Sequence, residues 1–132
     1  MEREKKIIDA SIVVKWFSHE EGSERALKLR EEHLSGKILL VAPELIFWEV
    51  LNALRYKENN ESALIAADRI LWDTQLHIEK INNFLLNKII SAAIKYKISI
   101  YDSTYLTLAE LHGCPLITAD KELLKTNNAV KV

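Results

Sequence analysis

Apolar positions along this chain follow two different periodicities. Short apolar runs of strand length are followed by longer stretches in which apolar residues recur every three or four positions, as on one face of a helix. The strand-like runs lie at 6–8, 38–41, 75–81, 98–101, 116–118 and around Val130. Short apolar strands that alternate with helices are typical of a parallel sheet covered on both faces.

Residues that start or stop helices bound the longer stretches. Helices are predicted at 12–17, 20–34, 43–57, 61–72, 83–97 and 103–112 and from Lys121. Pro43 fits a first helical turn, Gly36 fits a left-handed cap, and Asn82 or Asn83 can cap the helix that follows them. We therefore predict an α/β fold in which residues 1–132 form a single three-layer α/β/α domain. Its central, mostly parallel sheet should hold about four to five strands.

Composition narrows the classes of protein that this chain can represent. The net charge is −1, from 18 basic and 19 acidic residues. This balance excludes nucleic-acid binding through overall basicity, but not through a local patch or a bound cation. The single cysteine, Cys114, excludes an internal disulfide and a thiolate metal cluster. The charged amino terminus and the short apolar runs predict a cytoplasmic protein that does not contact membranes.

Three of the five aspartates, namely Asp9, Asp102 and Asp120, end or directly follow predicted strands. Because parallel strands end at the same edge of a sheet, we expect these three carboxylates to lie close together. Each aspartate could instead cap the helix that follows it, and for any one of them alone that is the favoured interpretation. The occurrence of all three favours a shared site.

Glu49 is the fourth candidate acid. Its neighbours one helical turn away are mostly apolar, and an ionised group in such a place is costly unless it is paired or bound to a metal. Alternatively, its side chain reaches solvent at the helix edge. Glu44 is another candidate for the fourth acid, but the helix dipole already explains a carboxylate in a first helical turn.

Four clustered carboxylates cannot all stay ionised without a cation, since like charges raise one another's pKa. Oxygen ligands favour Mg²⁺ or Mn²⁺. The four histidines show no paired ligand spacing, which argues against zinc, and most of them are expected at the surface.

Further residues are predicted to support this site. Ser11 and Thr118 each lie two positions from a candidate aspartate and are interpreted as hydroxyls that orient a carboxylate or a water. Asn52 lies one helical turn after Glu49 and is also assigned a supporting role. Lys15 and Lys121 are either phosphate contacts or ordinary solvated lysines.

Four segments, taken in order, resemble the successive signatures of the PIN-domain family, and most closely those of VapC-type toxins. The segments are Ile8–Phe17, Pro43–Leu45 with Glu49–Leu54, Tyr101–Leu106 and Leu116–Asp120. The resemblance extends from Ile8 to about Leu124.

This resemblance implies a metal-dependent endoribonuclease that hydrolyses RNA phosphodiester bonds. Mg²⁺ or Mn²⁺ would be held by the four acids Asp9, Glu49, Asp102 and Asp120. The resemblance also implies a homodimer and a cognate VapB-like antitoxin that silences the enzyme. Glu122 is the one candidate for the further acid that some family members carry.

Two alternatives remain open. The chain could be a PIN ribonuclease of RNA processing that has no antitoxin, which the neighbouring gene would reveal. It could also be a non-catalytic receiver or scaffold domain that binds Mg²⁺. That alternative ranks lower, since receivers usually carry paired acids after one strand and leave Glu49 without a role.

Overall fold

A parallel sheet with helices around it makes up the computed structural model, which describes residues 2–126 and 129–132. The strands are β1 (Glu4–Ile8), β2 (Ile38–Pro43), β3 (His77–Glu79), β4 (Leu116–Ile117) and β5 (Ala129–Val130). The α-helices are α1 (Ala10–Val13), α2 (Ser23–Leu34), α3 (Leu45–Lys57), α4 (Glu61–Asp73), α5 (Asn83–Tyr96) and α6 (Ile100–His112). Short 3-10 helices span Val14–Phe17 and Leu123–Lys125. The predicted α/β fold with a parallel sheet is confirmed. In the described ranges, every helix is too short or too polar to cross a bilayer.

The strand order β3-β2-β1-β4-β5 places the first strand in the centre of the sheet. Every neighbouring pair is parallel, and Ile7 of β1 lies opposite Val41 on one side and Leu116 on the other. The chain thus builds one half of the sheet through β3 and then returns to build the other half beside β1. In such sheets the crevice between the two halves, at the carboxyl ends of the strands, is where ligands bind. Here that crevice lies between β1 and β4.

Both faces of the sheet are buried. Ile7 and Ile8 are consecutive in β1, so their side chains point to opposite faces, and both are 0% exposed. Leu40, Val41 and Ala42 of β2 show the same full burial. Helices therefore cover both faces, which explains why these strands are continuous apolar runs rather than alternating ones.

Helix α6 is unusually buried for a helix in a domain of this size. All residues from Ser103 to Ala109 are buried, and the helix packs against the central strands and against α5. Polar groups on such a helix need partners inside the protein. Ser103 finds one, since its hydroxyl donates to the Ile89 carbonyl of α5 at 2.6 Å.

The predicted strand at 98–101 is wrong. Lys97 ends α5 in a left-handed conformation, with φ 56°, and α6 begins three residues later. Ser99 caps α6, because its hydroxyl accepts the backbone N–H of Asp102 at 3.0 Å. A four-residue apolar run cannot by itself distinguish a strand from the first turn of a helix, and here the cap decides. Asp102 is consequently carried by a helix rather than by a strand end.

The predicted place of Pro43 is also wrong. Pro43 is the last residue of β2, paired with Glu79 of β3, and the helix begins only at Leu45. A proline is tolerated at a strand end because it lacks only one N–H of the ladder. Glu44, which was expected in the first helical turn, occupies the N-cap position instead.

The predicted helix caps elsewhere are confirmed. Asn82 caps α5, since its side-chain oxygen accepts the backbone N–H of Leu85 at 2.8 Å. Gly36 follows α2 with φ 85°, a left-handed conformation that favours glycine.

His33 departs from the expectation of mostly exposed histidines, because it is buried on α2. Its Nδ1 accepts the backbone N–H of Leu40 at 3.0 Å, so this nitrogen carries no hydrogen. The hydrogen therefore lies on Nε2, which is 3.0 Å from the carbonyl oxygens of both Thr74 and Gln75. The imidazole joins α2 to β2 and to the end of α4.

Replacing His33 by alanine should lower the free energy of unfolding by about 2 to 4 kcal/mol. The substitution leaves two buried backbone groups, the Leu40 N–H and the Thr74 carbonyl, without their partner and opens a cavity, and each unsatisfied group costs about 1 to 3 kcal/mol. Urea unfolding followed by circular dichroism measures the change. His19→Ala is the control, since His19 is exposed and its loss should cost less than about 0.5 kcal/mol. Equal unfolding midpoints for the two variants would contradict the assignment.

Candidate metal centre

Asp9 lies directly after β1, at the crevice between the two halves of the sheet. Its carboxylate accepts the backbone N–H of Ser11 at 3.1 Å and thereby caps α1. The side chain is 4% exposed. Capping and a position at the crevice are thus properties of the same carboxylate, and they do not exclude one another.

Two hydroxyl groups fix the orientation of the Asp9 carboxylate. Ser11 donates to one carboxylate oxygen at 2.5 Å and Thr118 donates to the other at 2.5 Å. Each hydroxyl also accepts a backbone N–H, from Ala119 and Asp120 respectively, at 2.9 Å. Because an N–H can only donate, the single hydrogen of each hydroxyl is free to point at Asp9. The network therefore favours the ionised carboxylate and joins the ends of β1 and β4.

Burial acts in the opposite direction and disfavours the ionised form of Asp9. Removal from water raises the pKa of Asp9 from 3.8 to about 6, although the hydrogen bonds from Ser11 and Thr118 lower it. The charge of Asp120 adds to the rise. A nearby positive charge would therefore stabilise the ionised form of this buried carboxylate.

Asp120 lies three residues beyond the end of β4 rather than directly at its end. Its Oδ1 accepts the backbone N–H groups of Glu122 at 2.8 Å and of Leu123 at 3.1 Å. These bonds start the 3-10 helix and hold the side chain in one orientation. Among the described residues, no donor occupies the second carboxylate oxygen.

Asp102 and Glu49 approach the crevice from helices. Asp102 lies in the first turn of α6, where burial and then the charge of Asp120 raise its pKa. Glu49 lies on α3, where burial raises its pKa, Tyr105 lowers it and the charge of Asp102 raises it again. Each of the four predicted acids therefore lies within electrostatic reach of the next, in the order Asp9, Asp120, Asp102, Glu49. The four acids thus form a chain of neighbouring charges around the crevice.

Tyr105 is a residue of this cluster that sequence reasoning missed. It lies one turn after Asp102 on α6 and is 1% exposed. Burial and the Glu49 carboxylate raise the pKa of its phenol. In the sequence it resembles any core aromatic residue, so only its three-residue spacing from Asp102 could have indicated it.

The other residues with predicted roles lie around the cluster. Asn52 is exposed and lines a cleft of about 770 Å³ between α3 and α4. Within the described ranges no hydrogen bond joins it to the four acids. The Lys15 ammonium group is already paired within the protein, since its Nζ is 3.0 Å from the Glu20 carboxylate and 2.6 Å from the carbonyl oxygen of Glu21. Lys121 is exposed.

Glu122 is the exposed neighbour of the cluster. Its carboxylate lies 3.2 Å from Lys125, and its charge contributes to the raised pKa of Asp102. It is therefore close enough to influence the cluster without being buried in it.

The chemistry of these donors fits a hard divalent cation. All four are carboxylates, and the raised pKa values of Asp9, Glu49 and Asp102 reflect buried negative charge that a cation would offset. In the described ranges, no three acidic, histidine or cysteine side chains are already close enough together to hold a metal ion. The kind of donor thus fits Mg²⁺ or Mn²⁺, while the side chains would have to draw together around it.

A family model described as the PIN domain matches residues 6–129 of this chain. No curated protein matches the sequence. Many solved structures are similar in fold, including the following three. A protein of Pyrobaculum aerophilum is 21% identical with a TM-score of 0.74, and the match covers 98% of this chain and 84% of that one.

The other two structures are a toxin and a toxin complex. VapC20 of Mycobacterium tuberculosis, described as a toxin that cleaves the sarcin-ricin loop, is 14% identical with a TM-score of 0.75 and coverages of 93% and 95%. A chain of a toxin–antitoxin complex from Klebsiella pneumoniae is 20% identical with a TM-score of 0.71 and coverages of 95% and 95%. At these identities the likeness concerns the fold.

Proposed function

This chain belongs to the PIN-domain family, and on that basis we propose that it is a metal-dependent endoribonuclease that acts as a VapC-like toxin. The observation that supports the proposal is that four acids from four parts of the chain each lie within electrostatic reach of the next around one crevice. Asp9, Glu49, Asp102 and Asp120 are the proposed ligands of Mg²⁺ or Mn²⁺. RNA is the proposed substrate.

The bound ion would supply a lowered pKa for the attacking water and would neutralise charge that develops on the phosphodiester. The residues of the chain orient the carboxylates that would bind the ion. Ser11 and Thr118 hold both oxygens of the Asp9 carboxylate, and the backbone N–H groups of Glu122 and Leu123 hold one oxygen of Asp120. Such outer hydrogen bonds fix the direction in which a ligand presents its lone pairs.

The partners are also part of the proposal. We propose a cognate VapB-like antitoxin and a cytoplasmic location, and the likeness to a toxin of known RNA target and to a toxin–antitoxin complex supports this choice. We also propose a homodimer. Large apolar side chains on the outer faces of α3 and α4, such as Trp48 at 69% exposed and Trp72, support an interface there.

Metal dependence is tested with purified protein and a mixed RNA substrate. Chelation with EDTA should abolish cleavage, and Mn²⁺ or Mg²⁺ added in excess should restore it, because the four carboxylates repel one another and the phosphodiester without a cation. Gel electrophoresis measures the cleavage, and end-labelling should detect 5′-phosphates on the products. Cleavage that persists at full rate in EDTA would refute the proposal.

The toxin role is tested separately from catalysis. Induced expression should arrest growth of a bacterial host, and co-expression of a small DNA-binding protein encoded next to this gene should relieve the arrest. Catalysis without growth arrest, and without such a neighbouring gene, would favour a ribonuclease of RNA processing instead.

A further inference from the structure

The hydroxyl group of Tyr105 is a buried donor without an assigned role. Tyr105 is among the largest fully buried side chains of the protein. Among the described residues, its hydroxyl makes no completed hydrogen bond. A buried hydroxyl without a partner is costly, and such groups in native proteins call for an explanation.

The surroundings of this hydroxyl point to the acidic cluster. The carboxylates whose charges raise the pKa of this phenol are, in order of effect, Glu49, Asp9 and Asp102. Tyr105 is also the one described side chain that lowers the pKa of Glu49. The hydroxyl is therefore within reach of the Glu49 carboxylate, in a geometry that falls short of a completed hydrogen bond. Hydrogen bonds in active sites often tighten only when the site is loaded.

We propose that Tyr105 is a positioning residue whose hydroxyl donates to the Glu49 carboxylate and fixes it as a ligand of the divalent cation. The proposal rests on the proposed function, since it concerns the same metal site. Glu49 differs from Asp9 and Asp120 in the groups that can orient its carboxylate. Serine and threonine hydroxyls or backbone N–H groups hold those two carboxylates, whereas the described residues offer Glu49 only the phenol of Tyr105.

Core packing alone does not account for a tyrosine here. A phenylalanine would fill the same space beside the sheet without burying a hydroxyl, so the oxygen adds a desolvation cost that packing does not require. A donor aimed at a ligand explains that cost, because it restricts the carboxylate to the orientation that the cation needs.

The test measures Mn²⁺ binding by isothermal titration calorimetry and by the electron paramagnetic resonance signal of free Mn²⁺, with no RNA present. Tyr105→Phe should weaken the Kd for Mn²⁺ about tenfold, the lower end of what loss of an outer-shell partner costs. Its melting temperature without metal should not fall, since only an unpartnered hydroxyl is removed.

Thr107 provides a matched control on the same helix. Its hydroxyl is also buried and without a hydrogen-bond partner among the described residues. It lines a different cleft, of about 360 Å³ between α5 and α6. Residues two positions apart on a helix lie about 200° apart, so Thr107 faces away from Tyr105. Thr107→Val should leave the Kd for Mn²⁺ unchanged.

A double-mutant comparison tests whether Tyr105 affects metal binding through Glu49. If Tyr105 acts through this side chain, Tyr105→Phe should have no further effect on Mn²⁺ affinity in a Glu49→Ala background, which removes the acceptor. Additive losses would overturn the route, and with it the proposal. An unchanged Kd in Tyr105→Phe alone would also overturn it.

The outcomes separate this inference from the proposed function. Mn²⁺ binding by the wild type that is lost in Asp9→Asn but retained in Tyr105→Phe refutes the role of Tyr105 and leaves the metal site in place. A wild-type protein that does not bind Mn²⁺ refutes both.

Discussion

Replacing Asp9 by asparagine is expected to lower the rate of metal-dependent RNA cleavage about a thousandfold or more. Asp9 is the most buried of the four acids, and both of its oxygens are oriented by hydroxyl groups. The amide keeps the shape and can keep the cap on α1 but removes the charge that the cation needs. Losing several kcal/mol of transition-state stabilisation corresponds to about three powers of ten in rate. Single-turnover cleavage of a labelled RNA measures the effect.

Two further variants make this result interpretable. Asp102→Asn should cause a loss of similar size, because it removes another proposed ligand from a different helix. Asp73→Asn should have no effect, since Asp73 is exposed at the end of α4. Melting temperatures must show that all three variants fold. Wild-type rates in both Asp9→Asn and Asp102→Asn would rule out the proposed site.

The second large effect is a dependence of stability on pH in the absence of metal. The pKa of Asp9 is about 6 in the folded protein, against an ordinary value of 3.8. The folded state therefore holds this proton more tightly than the unfolded state. The resulting stabilisation is fully present below pH 3.8 and is lost as the pH rises through 6. For Asp9 alone the loss amounts to about 3 kcal/mol. Glu49 and Asp102, whose pKa values are also raised, contribute in the same direction.

Urea unfolding in EDTA at several pH values measures this effect, with Asp9→Asn as the comparison. Asparagine does not titrate, so the stability of the variant relative to the wild type should increase as the pH rises from 4 to 7.5. Saturating Mn²⁺ should reverse the trend for the wild type at pH 7.5, because metal binds the deprotonated carboxylates. A difference between the two proteins that does not change with pH would show that Asp9 titrates normally.

The acids of the candidate site could be selected from the sequence because their contexts differ from those of ordinary surface acids. Asp9 directly follows the two buried isoleucines that end β1, and Glu49 interrupts an apolar helix, so a charge at either position is costly unless it has a partner. For Asp102, the predicted structural context was wrong. It was expected at a strand end, but Ser99 starts a helix there, and the first turn of α6 brings the carboxylate to the same crevice.

The hydrogen-bonded neighbours of the acids were harder to predict. Ser11 and Thr118 were selected because they lie two positions from an aspartate, but Thr118 bonds Asp9, which is 109 residues away. Such a contact depends on β1 and β4 being neighbours, and no local pattern encodes that pairing. His33 and Tyr105 were missed for the same reason, since their partners lie on other elements.

The sequence by itself determined the periodicity of the chain, and therefore most of its strands and helices, the parallel sheet and the choice of four candidate acids. These features depend on local properties, namely which residues are apolar, how they are spaced and where caps and charges interrupt them. Only the tertiary structure decided that β1 lies between β2 and β4, that α6 rather than a strand carries Asp102, and that the Tyr105 hydroxyl is buried without a partner among the described residues. Those outcomes depend on how buried surfaces from distant segments fit together, and the free energy of that fit is not a property of any one segment.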